Sequence, residues 1–147
     1  MILCIFVDDV CCLGDEGAIE EAITEIEKVY VIKKLGDMVE YVGVTVDRKG
    51  DSLTLSQPDT ITKLQEKFGD EIKFLKNYEA PAAQGSAVIR PKDDEEKLKE
   101  VKQQKYRSGV GMLLWLMKHS RPDVANAVRE ASKVMDGATE AHYAYLL

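Results

Sequence analysis

The chain has 147 residues, 45% hydrophobic and 31% charged, which suits one ordinary soluble domain or two small units sharing a core. No apolar run approaches the roughly 20 residues of a spanning helix, and no basic segment precedes the apolar opening, so neither a membrane role nor a secretory leader is expected. The net charge of −6 is unevenly spread: residues 1–57 hold 5 Lys+Arg against 12 Asp+Glu, whereas residues 97–133 hold 9 against 3, a local +6 that suits either a phosphate-facing surface or solvated helix faces.

MILCIFV and VCCL are apolar runs rich in β-formers, separated only by Asp8 and Asp9. This predicts a β-hairpin with the aspartates at or beside its turn. Cys4, Cys11 and Cys12 lie in the same stretch without CxxC spacing, which argues against zinc and against a disulfide framework, and for buried strand residues. Asp15 is a good cap for a helix with the stripe Ile19, Ala22, Ile23, Ile26, Val29 and Tyr30, and Glu20, Glu21, Glu25 and Glu27 on its wet side. That helix is expected to cover one face of a sheet. From Met38 to Leu55 the period changes to two, through Val39 and Tyr41, then Val42, Val44 and Val46, with a turn around Gly50 and a return through Leu53 and Leu55; this predicts a second hairpin.

Pro58 suits the first turn of a helix carrying Ile61, Leu64 and Phe68. Residues 77–96 lack any period and read as a long connection, packed in part through Val88 and Ile89. Helical stripes resume with Tyr106, Val110, Leu113, Leu114 and Met117, then Val124, Val128, Ala131 and Met135 between Pro122 and Gly137. Thr139 can cap a final helix through Tyr143 and Leu146. The fold class is α+β, two hairpins and a covering helix in 1–57 followed by a helical 58–147.

Adjacent carboxylates repel each other and are costly to dehydrate, so Asp8 and Asp9 need water or a cation. A plain turn is one reading, since aspartate hydrogen-bonds nearby backbone. The other is a divalent metal site for phosphoryl chemistry, which needs a further carboxylate from another strand. Duller readings hold elsewhere. Gly109 and Gly111 are expected at close helix contacts, Arg121-Pro122-Asp123 at a helix start, and Trp115 and the methionines in the core. Lys102, Lys105, Arg107 and Lys118 are candidates for phosphate contact.

Phe6-Val7-Asp8-Asp9 resembles the YxDD box of reverse transcriptases, and the chain as a whole resembles the copia-type retrotransposon enzymes. KKLGDMVEYVGVTV is similar to that family's segment ending in a hydrophobic residue and glycine, here Val42-Gly43, and SQPDTITKLQEKF follows where the family has a glutamine and a helix. YRSGVGMLLWLMKHSRPDVANAV is similar to its thumb block through Tyr106, Arg107, Gly111, Leu113, Arg121, Pro122, Asp123 and Val124, and His142 falls where the family often has a histidine.

The resemblance implies a partial palm over 1–57 and a helical thumb over 58–147. It makes Asp8 and Asp9 the catalytic ligands of Mg²⁺, with Mn²⁺ as a substitute, and sets Phe6 and Val7 beside the nucleotide. It makes Val42 and Gly43 the primer grip, and a template-primer duplex and dNTP the partners. Phe6 stands where the family usually has tyrosine and lacks its hydroxyl. The family's earlier metal-binding aspartate, its fingers and its RNase H region have no counterpart in the sequence, so the isolated chain is expected to be inactive. Self-association through an exposed palm face is expected, in an intracellular setting, cytoplasmic, nuclear or within a retrotransposon particle. A non-catalytic nucleic-acid-binding or interaction module is the rival, and a helix-turn-helix-like reader over 103–147 a third reading.

Overall fold

Ile2–Phe6 (β1) and Asp9–Leu13 (β2) pair antiparallel, Phe6 opposite Asp9 and Ile2 opposite Leu13, in a computed structural model that describes residues 1–76, 79–82 and 85–147. Both faces of this two-stranded ribbon are apolar, and Ile2, Ile5, Phe6 and Val10 stay exposed. Helix α1 spans Glu16–Glu27, started by the Asp15 carboxylate, which accepts from the N–H groups of Gly17 and Ala18. Its stripe Ile19, Ala22, Ile23 and Ile26 is only half-buried, and Val29 and Tyr30 lie exposed beyond its end.

The second β region is a three-stranded meander where a hairpin was expected: Glu40–Tyr41 (β3), Val44–Lys49 (β4) and Ser52–Ser56 (β5), in the order β3-β4-β5. The apolar phase moves from odd positions, Val39 and Tyr41, to even ones, Val44 and Val46. That shift marks a chain reversal at Val42-Gly43. The first compact unit, Met1–Ser56, ends with this sheet; of its apolar side chains only Cys11, Val44 and Val46 are fully buried.

The second unit, Gln57–Leu147, is helical. Its elements are α2 (Pro58–Ile72), α3 (Glu100–His119), a 3₁₀ turn (Pro122–Val124), α4 (Ala125–Ser132) and α5 (Glu140–Leu146). The core gathers Phe68, Val88, Leu98, Tyr106, Val110, Ala131, Val134, Ala138 and Tyr143. The Tyr143 hydroxyl donates to Glu71 Oε2 at 2.7 Å, whereas that of Tyr145, packed against the core, is buried with no hydrogen-bond partner among the described residues. The Tyr106 hydroxyl donates to the Ala131 carbonyl at 2.7 Å, and burial pushes that phenol up to about 12. Gln103 donates to the Met135 carbonyl and accepts from the Ala138 N–H, closing the bend between α4 and α5.

The connection expected at 77–96 falls partly outside the described residues, at positions 77, 78, 83 and 84. Within it Val88 is buried, as expected, but Ile89 is 80% exposed. The Val88 N–H donates to the Glu130 carboxylate at 3.0 Å and the Ile89 carbonyl pairs with His142 Nε2 at 2.9 Å. This backbone is held from two sides, and only one of the neighbouring side chains faces the core.

The two α3 glycines differ. A Cβ at Gly109 would lie 2.7 Å from Phe68 Cζ and 2.9 Å from Leu146 Cδ2, so this glycine is a close contact between helices. Gly111 has nothing among the described residues within 4 Å of such a Cβ, and the packing role expected for it does not hold. Gly109→Ala is expected to destabilise the helical unit by about 1–3 kcal/mol through overpacking. Gly111→Ala, at an open helix-interior position, is expected to stabilise it by about 0.5–1 kcal/mol. Urea titrations of the two variants followed by circular dichroism check both signs.

Candidate functional site: the acidic hairpin tip

With Phe6 opposite Asp9, only Val7 and Asp8 remain to reverse the chain. Val7 is therefore driven to φ 53, the left-handed region that a β-branched residue rarely adopts. Asp8 stands in the turn itself, and Asp9 opens β2 on the ribbon face shared with Phe6, Cys4 and Cys11. Both aspartates are exposed, and neither carboxylate has a hydrogen bond or ion pair among the described residues. They do not brace the turn by bonding nearby backbone, as a turn-forming aspartate commonly does. Water solvates them.

Exposed, unpartnered carboxylate oxygens fit Mg²⁺ in kind. They do not make a full ligand set alone: among the described residues no group of three or more His, Cys, Asp or Glu side chains could hold a metal ion. Phe6 and Val7, the expected nucleotide neighbours, are 53% and 81% exposed at the same tip. Behind it, the Tyr41 hydroxyl donates to the Cys4 carbonyl at 3.2 Å, and Cys11 Sγ lies 3.3 Å from Met38 Sδ. Partial burial, with Cys4, Cys11 and Asp9 close by, pushes the Tyr41 phenol up.

Val42 and Gly43 form the two-residue reversal between β3 and β4, at φ 49 and φ 70. Two left-handed residues in a two-residue loop match the twist of paired strands, and glycine serves the second position. Valine at the first is strained.

The four basic candidates lie on α3 in different settings. Lys102 pairs with Glu140 and sits 4.4 Å from the Tyr143 ring centroid. Lys105 pairs with Glu71 and sits 5.1 Å from the Phe68 ring centroid. Arg107 Nε donates to the Met135 carbonyl at 2.7 Å. Lys118 is exposed with no bonded partner among the described residues. Glu71 and Glu140 lie outside 97–133, so the local +6 overstates the free positive charge there. Arg121 and Asp123, at the start of the 3₁₀ turn, form a two-bond pair with each other at 2.8 and 2.7 Å.

Over 97% of its length the chain is 32% identical to the "Retrovirus-related Pol polyprotein from transposon TNT 1-94" of Nicotiana tabacum. The chain is similar to a stretch of a retrotransposon Pol polyprotein. It spans 11% of that relative. No protein-family model and no solved structure matches it. No helix among the described residues is long and apolar enough to cross a membrane.

Two polar residues that the resemblance singled out have structural partners that the sequence did not announce. Gln57, fully buried, accepts from the Ser120 hydroxyl at 2.8 Å and reaches the Trp115 carbonyl. His142 Nδ1 accepts from the Thr139 N–H at 3.0 Å, which leaves Nε2 to donate to Ile89. The Thr139 cap was legible in the sequence, and the resemblance placed Gln57 and His142 without their partners.

Two predictions follow from these settings. Val42→Asn relieves the left-handed strain and is expected to raise stability by about 1 kcal/mol, read as a higher denaturation midpoint. Hydrogen bonds from Lys105 and Tyr143 hold the Glu71 carboxyl below its ordinary 4.5, so its contribution is complete above that value and is lost as pH falls through the lowered folded value. Glu71→Gln is expected to flatten the loss of melting temperature between about pH 5 and pH 3, while Lys118→Ala leaves that profile unchanged.

Proposed function

We propose that the chain is the later palm and the thumb of a copia-type RNA-directed DNA polymerase, with Asp8 and Asp9 as metal-holding carboxylates. One observation carries this reading. Two adjacent aspartates stand exposed and unpartnered on a two-residue turn between apolar strands, where a plain turn would have used them on its own backbone. The similarity to a Pol polyprotein supports it at the coarser level.

Bound Mg²⁺ would supply positive charge to the phosphate oxygens during nucleotidyl transfer. The chain's own residues hold and orient. Asp8 and Asp9 present oxygens from a turn whose geometry is set by strand pairing, and Phe6 and Val7 wall the same tip. The tight turn at Val42-Gly43 brings bare backbone near the primer. Lys118, the unpaired cation of the four, is the best placed for a phosphate of the duplex, with Arg107 next to it in rank.

The absence of a third carboxylate among the described residues favours a second reading, a non-catalytic module that binds nucleic acid. One experiment separates the two. The purified chain with Mg²⁺, dNTPs and a primed template is expected to add no nucleotide. A chimera in which the chain replaces the matching stretch of the tobacco polyprotein is expected to extend the primer. Asp8→Asn in that chimera is expected to cut extension by at least about a thousandfold while leaving duplex affinity nearly unchanged. A chimera that binds duplex but never extends, or one indifferent to Asp8→Asn, overturns the polymerase reading.

A further inference from the structure

The register that builds the acidic tip also sets Cys4 directly opposite Cys11. Residues facing each other across an antiparallel pair project from the same face, with Cα atoms about 4.5–5.5 Å apart, inside the roughly 4.4–6.8 Å range that disulfides span. Cys12 cannot substitute, because it faces Leu3 and points to the other side of the ribbon. Cys4 is half-exposed and Cys11 is buried beside it; all three thiols are free. Peroxide arriving from solvent therefore meets Cys4 before Cys11. Cys11 Sγ lies 3.3 Å from Met38 Sδ, a weak contact that a bond to Cys4 would replace.

We infer that Cys4 and Cys11 are a reversible peroxide-sensitive thiol pair, Cys4 the attacking sulfur and Cys11 the resolving one, whose disulfide locks β1 to β2 behind the Asp8–Asp9 turn. Cys4 thiolate attacks one peroxide oxygen, the O–O bond breaks, and the departing hydroxide takes a proton to become water. Cys4 is then a sulfenic acid. Cys11 sulfur attacks Cys4 sulfur and expels hydroxide, which takes the Cys11 proton as a second water. Two thiols give up two electrons and two protons, and one hydrogen peroxide becomes two waters. A dithiol reductant reverses the change. This holds whether or not the hairpin serves a polymerase.

The test uses the full chain and hydrogen peroxide at about equimolar amount, followed by thiol counting, intact mass and alkylation before mapping. Free thiols are expected to fall from three to one, with loss of two hydrogens and recovery on reduction. Unfolding and cleavage ahead of Asp8 should leave the fragment holding Cys4 joined to the one holding Cys11 and Cys12, with the alkyl label on Cys12. Cys12→Ser should oxidise like the parent, whereas Cys4→Ser and Cys11→Ser should form no internal disulfide. Hydrogen exchange of the β1 and β2 amides should slow on oxidation. Three thiols that stay reduced overturn the inference, as do a label found on Cys11, a bond between two copies, or oxidation that stops at sulfenic acid in the parent. The mapping on the parent chain decides the matter even where a serine variant fails to fold.

Discussion

Pairing of Phe6 with Asp9 is the constraint from which the first unit takes its chemistry. It leaves two residues for the reversal, drives Val7 into the left-handed region, and leaves both carboxylates exposed with no hydrogen-bond partner among the described residues. A register shifted by one residue would send every side chain of β2 to the opposite face. Asp9 would part from Phe6, and Cys11 from Cys4. The exposed acidic pair and the facing thiols are thus two consequences of one hydrogen-bonded ladder.

The two units are stabilised in different ways. In Met1–Ser56 a two-stranded ribbon with apolar residues on both faces cannot bury them by itself, and such ribbons are marginal alone. The half-buried stripe of α1 reflects the same shortage of covering surface. In Gln57–Leu147 the core closes around Tyr106, Val110 and Val134, and buried Gln57, Gln103 and Glu130 satisfy backbone groups that helix ends and bends would otherwise orphan. Such polar anchors specify one arrangement of bends, because leaving a buried donor or acceptor unpaired costs more than its bond contributes.

Charge on α3 shows why a local count misleads. Lys102 and Lys105 find Glu140 and Glu71, which lie far from them in sequence, and both ammonium groups also sit near aromatic rings. A cation already paired and packed is a poorer phosphate ligand than a free one, since binding must first break the pair. The free positive charge of 97–133 is therefore smaller than its composition suggests.

Periodicity and punctuation by themselves determined the α+β class, the hairpin at the aspartates, the Asp15 cap, the helix after Pro58 and the capped final helix, because these depend on neighbours within a few residues. The reversal at Val42-Gly43 was also written there, as a change of apolar phase, but valine in a left-handed position hid it. What only the tertiary structure decided involves partners distant in the chain: Gly109 packs tightly while Gly111 does not, Val88 is buried beside an exposed Ile89, and Lys105 is tied to Glu71. The unpartnered state of Asp8 and Asp9 belongs there too, since a sequence states which groups can bond and only the folded chain determines which of them meet.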